Sequence, residues 1–119
     1  MKKTLVFGAS LKPNRYSNIA INRLLDNEIP TVAYGLRSGK VRSVEIMTDL
    51  TDYKDLHTVT LYLNPKRQEE YYRAIIDLRP ERVIFNPGTE NPEFYELLRQ
   101  HHVHVEVACT LVLLATGQY

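Results

Sequence analysis

Several things are scarce in this sequence, and each scarcity narrows its function. There is one cysteine, Cys109, in 119 residues, which excludes an internal disulfide and fits a reducing compartment. Neither sign of charge dominates: 15 basic and 14 acidic residues leave a net charge of +1. Composition therefore gives no argument for nucleic acid or an anionic membrane surface as a partner. No apolar run approaches the ~20 residues of a membrane span. The N-terminus, Met1-Lys2-Lys3-Thr4, runs straight into a short apolar segment that is too brief for a signal h-region. Internal repeats, low-complexity tracts and domain linkers are also lacking. The expectation is one domain over residues 1–119, located in the cytoplasm, with a hydrophobic fraction of 44% that suffices for a real core.

What is present alternates between strand and helix signals. Thr4-Leu5-Val6-Phe7, Thr31-Val32-Ala33-Tyr34, Thr58 to Leu63, Arg82-Val83-Ile84-Phe85 and Val103 to Val107 are short β-prone runs. Between them, Ile19, Ala20, Ile21, Leu24 and Leu25 continue one helix, with Ser17 as its expected N-cap. A second helix starts at Asn64-Pro65, with Tyr71, Tyr72, Ile75, Ile76 and Leu78 on its apolar side. Pro92 to His101 reads as a third, with Phe94, Leu97 and Leu98 inward, and Thr110 to Ala115 as a closing helical turn. The stretch from Leu36 to His57 has few signals: Val44-Glu45-Ile46 reads as a short extended piece and Asp49 to Leu56 as a short helix. The pattern predicts an α/β fold, a single-domain Rossmann-like, doubly wound parallel sheet of five strands with helices on both faces. The expected strand order is 3-2-1-4-5, counting these five runs along the chain.

In such sheets ligands bind beyond the carboxyl ends of the strands, beside strand one. The loops starting at Gly8, Gly35, Asn64 and Asn86 should therefore form one site. Gly8-Ala9-Ser10 lets a backbone approach something bulky, and Pro13-Asn14 turns the chain into a helix whose N-terminus faces that loop. Free N–H groups and the positive end of the dipole favour a phosphate there, and Lys12 and Arg15 add charge. Gly8 is the only glycine of this loop, and no acid stands at the tip of strand two. The dinucleotide fingerprint needs three glycines and that acid, so a plain NAD site is disfavoured. The tip instead carries Tyr34-Gly35-Leu36-Arg37 with Lys40 close behind, and such cations attract an additional phosphate on the ribose. NADP and coenzyme A both qualify.

Val6-Phe7-Gly8-Ala9-Ser10 followed by Pro13-x-Arg15-x-Ser17 resembles the opening of the small stand-alone CoA-binding proteins, related to the CoA-binding domain of succinyl-CoA synthetase. The resemblance continues through Thr48-Asp49-Leu50, Asn86-Pro87-Gly88 and the late cysteine in Glu106-Val107-Ala108-Cys109. It implies a Rossmann-like fold holding coenzyme A or an acyl-CoA, with Gly8, Ala9, Ser10, Pro13, Arg15 and Ser17 along the phosphates. Gly35 and Arg37, with Lys40 nearby, would border the adenosine and its 3′-phosphate. Asn64 and Pro65 would flank the adenine, and Asn86 and Gly88, in the turn after strand four, are further candidate binding residues. Two departures stand out. Many members end strand two with Asn-Pro rather than Tyr34-Gly35-Leu36-Arg37, and several carry an arginine after strand three where this chain has Asn64. The resemblance implies non-catalytic binding, with a protein partner or homo-oligomer left open. The alternative is a small NADP-linked oxidoreductase or a subunit of an acyl-CoA-handling enzyme.

Other chemistry reads more weakly. Cys109, just past strand five, is read first as a small buried residue and second as a thiol facing the ligand. His101, His102 and His104 lack flanking Cys or paired acids and read as a helix end rather than a metal site. His57 reads as a surface residue. Asp49, Asp52 and Asp55 lack the turn glycine and closing glutamate of a calcium loop. Strand one and strand three end in Gly8 and Asn64, which excludes a phospho-acceptor aspartate. Ser10 lacks the second glycine of a nucleophile elbow. Tyr62, Tyr71 and Tyr72 read as core or helix-face residues.

Overall fold

In the computed structural model, which describes residues 2–50 and 53–119, strand β1 (Thr4–Phe7) is buried at all four positions. It is flanked by two parallel strands, β2 (Thr31–Tyr34) and β5 (Thr58–Leu61). Phe7 is in register with both Tyr34 and Leu61, so the carboxyl ends of the three strands lie level. Beyond β5 come β6 (Arg82–Phe85) and β7 (His104–Val107), both parallel. Beyond β2 lies β4 (Val44–Met47), parallel to β2, and then β3 (Gly39–Val41), antiparallel to β4. Among the described residues the sheet has seven strands in the order β3-β4-β2-β1-β5-β6-β7.

The Rossmann-like α/β class is as expected, but the count of five strands and the place of the third are corrected. Val44–Met47 is a full sheet member and takes the position outside β2, so Thr58–Leu61 pairs directly with β1 on the other side. The parallel strands then run 3-2-1-4-5-6 once β4 is counted. The signal at β4 was weak because the element is short and half-solvated, with Glu45 exposed between buried Val44 and Ile46. It closes as a hairpin with β3 through Arg42, whose φ of 55° fits a tight turn. The short helix expected from Asp49 to Leu56 is absent among the described residues there; Asp52 lies outside them. Leu56 instead enters the core from irregular chain before β5.

Side chains alternate across β1, and the two faces carry separate cores. Val6 packs with Ile21 and Leu24 of α1 (Tyr16–Asp26), Ala33, Ile46, and Leu114 of α5 (Thr110–Ala115). Leu5 and Phe7 pack on the other face with Val59, Phe85, Ile75 of α3 (Tyr72–Asp77), and Phe94 and Leu98 of α4 (Pro92–Gln100). Each fully buried Leu, Ile or Phe contributes about 1.5–3 kcal/mol. The helix expected from Asn64 onward begins as α2 (Pro65–Gln68) and tightens into a 3-10 turn at Glu69–Tyr71 before α3.

The entry to α1 also differs from expectation. Arg15, not Ser17, is the N-cap residue, with φ −80° and ψ 141°. The Arg15 N–H donates to Lys12 O at 3.1 Å, closing the Pro13-Asn14 turn early. The helix then starts at Tyr16 and carries Ser17 buried into its first turn.

Candidate functional site

The level ends of β1, β2, β5 and β6 open into one cleft of about 680 Å³, a volume in the usual range for a small-molecule site. Its base is the loop after β1. The N–H groups of Gly8 and Ala9 both donate to the Tyr34 carbonyl, at 2.9 and 2.8 Å, and Gly35 N–H donates to Met47 O at 2.9 Å. This ties the loop to the tip of β2 so closely that a Cβ on Gly35 would stand 2.3 Å from Ala9 O. Only glycine fits there. Gly8, at φ 94°, makes the turn out of β1 over Leu63. The loop then folds on itself: Lys12 N–H donates to Ser10 Oγ at 3.1 Å, and the buried Asn18 donates from Nδ2 to Ser10 O at 2.9 Å.

At the end of this loop the N-terminus of α1 carries no side-chain cap. By contrast, Asn64 accepts from Arg67 N–H at 2.9 Å and Asn91 from Phe94 N–H at 3.3 Å, capping α2 and α4. The uncapped end borders the cleft through Arg15, Tyr16 and Ser17, where the partial positive charge of a helix start, about half an elementary charge, favours an anion. The charges lining the cleft agree. Lys12, Arg15, Arg37 and Arg67 border it, and among the described residues no carboxylate does, although the chain as a whole is almost neutral.

Of the residues singled out from sequence, Gly8, Ala9, Ser10, Arg15, Ser17, Gly35, Arg37, Asn64 and Gly88 line this cleft, as does Lys12. Pro13, Lys40, Pro65 and Asn86 do not. Lys40 is exposed on β3, and Pro65 holds the first turn of α2. Asn86 is buried and committed to the scaffold. Its Nδ2 donates to Thr60 Oγ1 (2.7 Å) and Leu61 O (2.9 Å), and its Oδ1 accepts from Thr110 N–H (2.9 Å). It thereby joins the ends of β5, β6 and α5 beneath the cleft.

Sequence reading did not single out Arg67, nor Leu36 as a rim residue, nor Tyr34 and Tyr71 as a pair. The hydroxyl of Tyr34 lies 3.5 Å from that of Tyr71, and their rings form a cluster with Phe7, centroids 4.9–5.8 Å apart, in which Tyr71 meets both other rings edge-on. Burial, reinforced by Tyr71, pushes the Tyr34 phenol up to about 12. Burial likewise pushes Tyr62, on the cleft floor, up to about 12. The one available signal for Arg67 was its offset from Asn64-Pro65: an N-cap at a strand end puts the residue three further on in the first helical turn.

The remaining candidates lie elsewhere. Cys109 is half-buried at the N-cap position of α5 and does not line the cleft. His101 caps the end of α4, with Nδ1 2.9 Å from Leu97 O, and His102 and His104 are exposed. Among the described residues no three His, Cys, Asp or Glu side chains are placed to hold a metal, and no helix is long and apolar enough to cross a membrane. His57 is half-buried, with Nδ1 2.7 Å from Thr58 Oγ1.

The family model described as CoA binding domain matches residues 2–115. A solved structure of an uncharacterized protein is 40% identical, with a TM-score of 0.97, covering 100% of this chain and 98% of that one. A hypothetical protein from Pyrococcus horikoshii OT3 is 26% identical, with a TM-score of 0.83 over 93% of this chain and 80% of that one. A Thermus thermophilus protein at 20% identity shares the fold, with a TM-score of 0.87 over 99% of this chain and 90% of that one. No curated protein matches the chain.

Proposed function

The chain belongs to the CoA binding domain family, and from that premise we propose that it binds coenzyme A or an acyl-CoA without transforming it. The observation that carries the reading is the charge of the cleft, with four cations and, among the described residues, no carboxylate around an uncapped helix start. Charge-assisted contacts to phosphate are the strong ones in such a site. In this reading the diphosphate lies over Gly8, Ala9, Ser10 and the start of α1, beside Lys12 and Arg15. The adenosine lies between Gly35–Arg37 and Asn64, and Gly88 borders the pantetheine. Residues 1–119 act as one domain, in the cytoplasm, delivering or sensing the ligand for a protein partner or a second copy.

The groups that the described residues present to the cleft suit binding better than catalysis. General acid–base work at neutral pH wants a group titrating near 7. The described residues around the cleft offer cations and phenols, two of the phenols pushed up to about 12. Ser10 and Ser17 have no histidine beside them in the lining.

Thermal shift against coenzyme A, dephospho-CoA, NADP and NAD tests the proposal. A ligand that binds only the folded state stabilises it by about 2.7 kcal/mol at a hundredfold excess over its dissociation constant. Stabilisation by coenzyme A, less by dephospho-CoA and none by NAD is expected. Stabilisation by NADP alone would replace this reading with the oxidoreductase. Arg37→Glu should weaken coenzyme A far more than dephospho-CoA; equal loss for both would remove Arg37 from the phosphate role.

A further inference from the structure

The four cations of the cleft enter it from two places. Lys12 and Arg15 belong to the first loop and the start of α1, whereas Arg37 and Arg67 follow β2 and β5 on the two sides of β1. Arg37 stands three residues after Tyr34, and Arg67 four residues before Tyr71. Those two tyrosines touch, with ring centroids 5.8 Å apart. The segments that follow β2 and β5 thus approach each other at these tyrosines, and both Arg37 and Arg67 line the cleft into which those segments open. No carboxylate pairs with either guanidinium among the described residues. A ligand with a diphosphate and a separate phosphomonoester has its charge divided in the same way.

Arg67 is also held from behind. Its neighbour Gln68 is fully buried. The Gln68 Nε2 donates to Leu63 O and to Thr89 O, both at 2.8 Å, and its Oε1 accepts from Asn91 Nδ2 at 3.0 Å. Leu63 and Thr89 are themselves cleft residues on two different loops. With Asn64 accepting from the Arg67 N–H, the first turn of α2 is fixed on both sides of Arg67. A buried polar side chain with every partner satisfied gives one arrangement rather than several.

We propose that Arg67, placed by Gln68, is a specificity-determining residue that reads the ligand's phosphomonoester together with Arg37. This rests on the coenzyme A reading above and adds to it a residue and a positioning device. A guanidinium that contacts the phosphomonoester should favour coenzyme A over dephospho-CoA by about 10- to 100-fold.

The test is calorimetric titration of the full chain with coenzyme A and with dephospho-CoA, for wild type, Arg67→Gln and Gln68→Met. Arg67 is exposed, so Arg67→Gln should leave the melting temperature unchanged. It should lower coenzyme A affinity by at least about tenfold while leaving dephospho-CoA within about twofold. Gln68→Met keeps the length but not the hydrogen bonds. It should melt earlier and, measured well below its midpoint, also lose discrimination between the two ligands. A purely structural role for Gln68 would weaken both ligands equally, and that result removes it as the positioning residue. If Gln68→Met fails to fold, Arg67→Gln decides the central claim: unchanged discrimination overturns it. Wild-type protein that binds coenzyme A without preferring it to dephospho-CoA overturns this inference alone, and wild-type protein that binds neither overturns the coenzyme A reading as well.

Discussion

Replacing Gly35 by alanine is the sharpest test of how the cleft is built. Gly35 has no positive φ, so alanine brings no left-handed backbone strain of its own. The obstacle is contact: the new methyl would stand 2.3 Å from Ala9 O and 3.1 Å from Ile46 Cγ2. The nearer atom is backbone, held by two hydrogen bonds from Gly8 and Ala9 to Tyr34 O, so it has no cheap way to yield. Overpacking of this kind costs about 1–3 kcal/mol, and a backbone obstacle puts the cost near the top of that range. For a chain of this size that lowers the melting temperature by about 8–12 °C. Gly88 supplies the contrast, because a Cβ there meets nothing within 4 Å but φ is +92°. Asparagine tolerates positive φ better than alanine does, so Gly88→Asn should destabilise less than Gly88→Ala. At Gly35, where size is the problem, the order should reverse. Denaturant melts of the four variants read both orders, and titration with coenzyme A should show Gly35→Ala weakened through the displaced first loop. A Gly35→Ala melting temperature within about 2 °C of wild type would refute the close approach of the first loop to the tip of β2.

Two further outcomes follow from the scaffold. Asn86→Ala leaves the buried Leu61 O and Thr110 N–H without their partner and should cost about 2–4 kcal/mol in urea unfolding; a loss below about 1 kcal/mol would mean water takes its place. His57 is held below its ordinary value, chiefly by burial and then by Arg82. Its protonated form is thus disfavoured in the folded state, so its contribution to stability is complete above pH 6.5 and is lost as the pH falls below that value. His57→Gln should therefore flatten the fall in urea midpoint between pH 7.5 and 5.5; an unchanged slope would assign that fall to other groups.

Local signals were enough for the strand–loop–helix at the heart of the site. Thr4–Phe7 is an unbroken apolar run because both its faces are buried, and Gly8 and Pro13-Asn14 mark the turns that follow. The same holds for α4, whose start is written in Asn91-Pro92 and whose inner face is written in Phe94 and Leu98. Each of these depends on residues within a turn or two of one another, so a pattern along the chain captures it.

Partners far apart in the chain left no such mark. Val44–Met47 becomes a sheet strand only because β2 offers it an edge, and its place beside β2 shifted Thr58–Leu61 to the far side of β1. Asn86 and Gly88 stand two residues apart in one turn, yet one is consumed by buried hydrogen bonds and the other lines the cleft. Arg67 enters the cleft because α2 follows directly from β5, and the meeting of Tyr34 with Tyr71 spans 37 residues. Composition and periodicity marked β1, β2, β5, β6 and β7 and the helices between them, but gave β4 only as a short extended piece and left β3 unmarked. Which cations line one cleft was decided by the parallel register of β2, β1 and β5, because only sheet pairing brings the ends of separate strands to one level.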